Sequence, residues 1–182
     1  QGTHAEALTC ASPWNSRQGQ NRAGTAITPR HAMLAAHYPL LAGDSLRFIA
    51  SDNTVITRTV VQSQRIYHNG LSTDGQMILL DSDLPASITP CKLFPEGYET
   101  YLPAGASTNA AFRLPLLTLD QEEKGIMYDL LEVSNDPIRS VVLTVPELPD
   151  RLAFYESVVS GDSGNPQFAA IGTELWIMTC WY

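Results

Sequence analysis

The residue with the most chemistry to offer is Ser163, set in the stretch Gly161-Asp162-Ser163-Gly164-Asn165-Pro166. A serine hydroxyl attacks a carbonyl only when a base removes its proton and nearby donors stabilise the oxyanion that follows. Glycines on both sides let the backbone turn tightly and aim N–H groups at a substrate carbonyl. The same six residues would also serve as a plain Gly/Asn/Pro turn between strands, so the reading depends on what accompanies them. Four histidines are present: His4, His31, His37 and His68. His31 falls in the turn Thr28-Pro29-Arg30-His31 and reads as an exposed turn residue, and neither His4 nor His68 has supporting context. His37 follows the apolar run Leu34-Ala35-Ala36 and stands at the expected end of a strand.

The elements that must position these groups read as short strands. Ala23 to His37 is two apolar pieces around the Thr28–His31 turn, a hairpin that ends at His37. Ser45 to Ala50 and Val55 to Ile66 are rich in β-branched residues and joined by Ser51-Asp52-Asn53. Asp74 to Asp81 is an apolar run bounded by Gly and Asp. Pro85, Pro90 and Pro95 cannot continue a central strand, which makes 84–97 a connection between two halves. In the second half, Leu114 to Leu119 and Ile126 to Val133 flank the charged tip Asp120–Gly125 as a hairpin rather than one amphipathic helix. Ser140 to Val145 and Leu175 to Tyr182 complete the strands, while 1–21 reads as a covering segment or a poorly marked first strand.

Composition agrees. The chain has 182 residues, 44% of them hydrophobic, enough for a sizeable core in one domain or two packed halves. Charged residues are only 16%, and 12 Gly with 12 Pro suit many turns, so the balance leans to all-β. A net charge of −8 argues against nucleic acid as a partner, because phosphate binding rests on Lys and Arg. No apolar run is long enough to span a bilayer. The chain starts without methionine or a signal core and reads as a processed product or fragment. Three cysteines, Cys10, Cys91 and Cys180, allow one disulfide, with Cys10 and Cys91 a candidate pair, and their spacing excludes the usual zinc pairs.

Three motifs together resemble the chymotrypsin-like (trypsin-fold) serine proteases. Leu34-Ala35-Ala36-His37 is similar to the family's Ala-Ala-His, and Asp74-Gly75-Gln76-Met77-Ile78-Leu79-Leu80 to its Asp-Ile-Ala-Leu-Leu-Lys-Leu strand. Gly161 to Pro166 departs from Gly-Asp-Ser-Gly-Gly-Pro at Asn165 only. The order His, Asp, Ser also matches, whereas other folds carry the same triad in other orders. The resemblance extends from Gly24 to Trp181 and is one of compatible pattern between the motifs.

It implies an all-β fold of two packed antiparallel barrels, an N-terminal one over 1–90 carrying His37 and Asp74, and a C-terminal one over 91–182 carrying Ser163. It also implies a serine endopeptidase that passes through an acyl-enzyme. His37 is then the general base, Asp74 orients its imidazole, Ser163 is the nucleophile, and the backbone N–H groups of Gly161 and Ser163 form the oxyanion hole. Asp81 and Asp83 are rival acids but read as solvated turn carboxylates. The implied partner is a protein or peptide substrate, with no metal or cofactor, and the implied location is secreted, periplasmic or cell-surface. The rival from another class is a catalytically weak homologue that binds protein or peptide in the same cleft; an esterase on the same fold is a third reading.

Several positions depart from the family pattern. The Ile-Val-Gly-Gly start is missing, so Asp162 needs a partner other than a freed N-terminal amine, or an exposed position. Asn165 is tolerable because asparagine accepts positive φ better than other non-glycine residues. Ser157, where an aspartate selects Lys or Arg, leaves a neutral floor in the substrate pocket. In the wall that resembles Val-Ser-Trp-Gly, Trp181 matches, Cys180 replaces serine, and Tyr182 replaces glycine and is expected to favour small side chains. The family continues past this strand, so the second barrel is expected to be completed differently or truncated.

Overall fold

The computed structural model describes residues 6–13, 23–95, 97–101, 108–122, 124–134, 140–171 and 174–180. The chain is nearly all β, with 49% in strands and 9% helical. The first sheet comprises β1 (Thr25–Thr28), β2 (His31–Ala35), β3 (Ser45–Ile49), β4 (Val55–His68) and β5 (Leu71–Leu80), in the order β1-β2-β5-β4-β3. It is antiparallel throughout and curls into a half-barrel. The second sheet contains β6 (Lys92–Leu93), β7 (Leu114–Leu119), β8 (Gly125–Val133), β9 (Val141–Thr144), β10 (Pro166–Ile171) and β11 (Glu174–Cys180). Its order is β6-β11-β10-β7-β8-β9, with only β6 and β11 parallel.

Local chemistry explains the turns. Asn53 at φ 66 closes the β3–β4 connection, where Asp52 Oδ1 accepts from Thr54 N–H at 2.9 Å. That bond holds the Asp52 carboxyl below its usual range. Strands β4 and β5 run further toward each other than their apolar patterns suggest. They meet at Asn69-Gly70, both at positive φ (50 and 79), a two-residue turn whose twist matches the flanking strands. The β1–β2 and β7–β8 hairpins form as their sequences predict. Unforeseen from pattern is a single helical turn, α1 (Pro149–Leu152). Proline suits its first position, and Arg151 Nη1 reaches the buried Asp129 carboxylate on β8 at 2.9 Å.

Alternation decides which side chains go inward. In β3, Leu46 and Phe48 are fully buried while their neighbours are half-buried, and in β5 the same holds for Gln76, Ile78 and Leu80. One continuous core joins the two sheets: Leu34, Leu46, Phe48, Val60, Ile78 and Leu80 from the first meet Phe168, Leu175, Ile177 and Cys180 from the second. A smaller cluster, Leu116, Leu130 and Ala169, packs within the second sheet. The strands that lead into His37, carry Asp74 and follow the Ser163 loop are thus anchored in one apolar mass. No helix among the described residues is long and apolar enough to cross a membrane.

Candidate active site

His37 follows β2 in a turn that two backbone bonds shape. Ala36 N–H donates to Asp74 O at 2.6 Å, and Tyr38 N–H to Ala35 O at 3.2 Å. Because Ala35 stands opposite Gly75 in the β2–β5 ladder, this turn sets His37 beside Asp74 although 37 residues separate them. The buried Gln76 side chain then accepts from Leu40 N–H at 3.0 Å and pins the chain leaving His37. The result is direct contact between His37 Nδ1 and Asp74 Oδ2. The imidazole side chain is 39% exposed and the carboxylate 22%, so the pair is open to solvent.

Asp74 is held from its other side. Its Oδ1 lies 3.4 Å from Arg65 Nη2, and Arg65 Nε donates to Thr73 O at 2.8 Å. Thr73 Oγ1 donates to Ile66 O at 2.8 Å and accepts from Gly75 N–H at 3.1 Å. Gly75 has little room, since a Cβ there would lie 3.1 Å from Ile66 Cδ1. Gly75→Ala is therefore expected to lower stability by about 1–2 kcal/mol, by forcing Ile66 to shift beneath the acid. A urea titration checks this, and an unchanged midpoint would show that the strand pair yields freely.

The serine loop is built around Asp162. Its carboxylate is 2% exposed and accepts Val159 N–H at 2.7 Å and Gln121 N–H at 2.9 Å, while its carbonyl accepts Asn165 N–H at 3.1 Å. Of the two partners foreseen for Asp162, another partner or solvent, the structure supplies the first. Gly161 and Gly164 take the positive φ values, 114 and 92. Asn165 does not, so its tolerance of that region is unused; it is buried, with Nδ2 unpartnered among the described residues. A Cβ at Gly164 would lie 3.4 Å from Ala23 O and 3.5 Å from Ala35 N. The loop therefore packs closely on the strand end that leads into His37. Ser163 is half-buried, and no hydrogen bond joins it to His37 among the described residues.

A cleft of about 450 Å³ opens beside the acid, between the sheets. Met33, Arg65, Asp74 and Gly75 line it from the first sheet, and Val141 and Cys180 from the second. Cys180 is buried, and burial pushes its thiol up to about 12. Native alkylation of Cys180 at pH 8 is accordingly expected to run about 10³-fold slower than that of a free thiol, since only the thiolate reacts. Quantitative peptide mapping after iodoacetamide checks this, and prompt modification would contradict it.

Other predicted positions lie apart. Ser157 is exposed, does not line the cleft, and has its Oγ 3.0 Å from Tyr155 Oη. Its segment is tied by Tyr128, whose hydroxyl donates to Glu156 O at 2.8 Å and accepts Val158 N–H at 3.0 Å. Burial raises the pKa of that phenol. Trp181 and Tyr182 lie outside the described residues, as does His4. His31 Nδ1 is 2.9 Å from Thr28 Oγ1 in its turn, and His68 Nε2 is 3.1 Å from Asn69 Nδ2. Asp81 and Asp83 are not in contact with any histidine among the described residues; the backbone carbonyls of both accept from arginines, Arg30 and Arg58. Arg65 and Gln121 lie outside the three motifs, and Gln76 lies within one without a role assigned to it. Their roles arise only once β5 pairs with β4 and β2 and the Asp162 loop meets the β7–β8 turn.

No group of three or more His, Cys, Asp or Glu arranged to hold a metal occurs among the described residues. Compared with known proteins, the chain matches no family model and no curated sequence.

Proposed function

We propose that the protein is a serine endopeptidase of the chymotrypsin-like type, with His37, Asp74 and Ser163 as its triad and a double-barrel arrangement derived from the two sheets described. The observation that carries this reading is the solvent-accessible contact between His37 Nδ1 and Asp74 Oδ2, with the Gly164 backbone packed on the strand that leads into His37. A carboxylate on Nδ1 leaves Nε2 as the nitrogen that faces a substrate, the tautomer a general base needs.

The steps follow from these roles. Ser163 Oγ attacks the scissile carbonyl as His37 Nε2 takes its proton, and Asp74 stabilises the imidazolium that forms. N–H groups of Gly161 and Ser163 receive the oxyanion. His37 then protonates the departing amine, and water repeats the sequence on the ester to free Ser163. The missing Ser163–His37 hydrogen bond fits a resting enzyme, because such bonds often tighten only when substrate binds. Protein or peptide is the proposed substrate and an extracytoplasmic location the proposed setting.

A fluorophosphonate probe tests the reading. The native chain is expected to carry one adduct on Ser163, located by mass spectrometry, and Ser163→Ala none. Absence of labelling in a natively folded chain would instead favour the binding-module reading.

A further inference from the structure

We infer that Cys10 and Cys91 form a disulfide, and that Cys180, the third thiol of the same core, stays unpaired. All three cysteines are buried members of the core that joins the two sheets. Cys10 ends the 3₁₀ turn Ala7–Cys10 and is fully buried; Cys91 is 6% exposed and directly precedes β6. Three ties bring their segments together, two of them through β1 and one directly. Ala11 bridges to Thr25, Cys91 N–H donates to Ala26 O at 2.9 Å, and Thr89 N–H donates to Thr9 Oγ1 at 2.9 Å. Neighbouring residues of one strand thus hold the two cysteine segments side by side, and contact with the Cys91 thiol, followed by burial, pushes the Cys10 thiol well above its usual range.

Cys180 shares the core with Cys91 and feels its thiol as well, but it ends β11, where Cα pairing with Pro166 fixes its backbone in the sheet. Cys10 and Cys91 sit instead outside the regular strands, on segments already held side by side as the narrow geometry of a disulfide demands.

The oxidant is a small-molecule disulfide such as oxidised glutathione. The Cys91 thiolate attacks one of its sulfurs, releasing one small thiol and leaving a mixed disulfide on Cys91. The Cys10 thiolate then attacks the Cys91 sulfur and expels the second small thiol. Two cysteine thiols lose two electrons and two protons, and the small disulfide is reduced to two thiols. Because both sulfurs are buried, exchange occurs during folding or when the N-terminal turn opens. The inference is independent of the peptidase reading.

The test is to refold the reduced chain in mixed reduced and oxidised glutathione, then digest it without reductant. The expected product links the Cys10 peptide to the Cys91 peptide, and one thiol per chain titrates in denaturant. A bond closing a loop of about 80 residues is expected to raise the melting midpoint by about 10 °C over the reduced chain. Cys180→Ser is expected to keep the link and leave no titratable thiol. A link through Cys180, or three free thiols in a chain whose near-ultraviolet circular dichroism shows a packed fold, overturns the inference.

Discussion

Replacing His37 with alanine is expected to lower kcat on a peptide or ester substrate by about 10⁴- to 10⁶-fold, the range seen when a triad loses its base. The fold should hardly notice, because the imidazole is 39% exposed and its neighbourhood is fixed by backbone bonds from Ala36 and Tyr38 rather than by the ring. Asp74→Asn probes the same unit from the other side. An amide beside Nδ1 favours the wrong tautomer, and a loss of about 10⁴-fold in kcat is expected with the melting midpoint little changed. Combining the two should add almost nothing to the loss from His37→Ala, since residues that act as a unit are not additive. Single-turnover kinetics on an activated ester, with thermal melts of each variant, measures all three. A loss below tenfold for His37→Ala would remove this imidazole from the chemistry.

The second large effect concerns stability. Asp162→Ala leaves the part-buried amides of Gln121 and Val159 without their shared acceptor, a residue itself only 2% exposed. Hydrogen bonds to a charged acceptor contribute about 1.5–3 kcal/mol each, so a destabilisation of about 3–5 kcal/mol is expected. The same change frees the loop that carries Ser163, so fluorophosphonate labelling should fall with stability. Asp162→Asn keeps one acceptor but turns its amide donors toward a second N–H, and is expected to cost about half as much. Chemical denaturation resolves the two. A change under about 1 kcal/mol for Asp162→Ala would mean that Gly164, seated on Ala23 and Ala35, positions the loop without it.

These two sites show what part of the architecture a linear reading reaches. The strands were legible because period-two burial leaves a local trace: Leu46 and Phe48 in β3, or Ile78 and Leu80 in β5, alternate with their neighbours. The Asn69-Gly70 turn was equally legible in principle, since paired positive φ values favour that dipeptide. The short helix over Pro149–Leu152 was not, because four residues carry no period and its anchor, Asp129, is distant in sequence.

By itself the sequence determined an all-β chain and proposed His37, Asp74 and Ser163 as one chemical unit, since residue type and motif are local properties. Tertiary structure decided which groups touch. The β2–β5 register put Ala35 across from Gly75 and so brought His37 onto Asp74. The β4–β5 pairing delivered Arg65 to the same carboxylate. Packing of the Gly161–Pro166 turn against the β7–β8 connection buried Asp162 and moved positive φ onto Gly161 and Gly164, leaving Asn165 in ordinary backbone. Ser157, placed by analogy on a pocket floor, stands exposed beside Tyr155. Each outcome depends on which distant strand lies alongside, and burial of one shared core, rather than local preference, makes that choice.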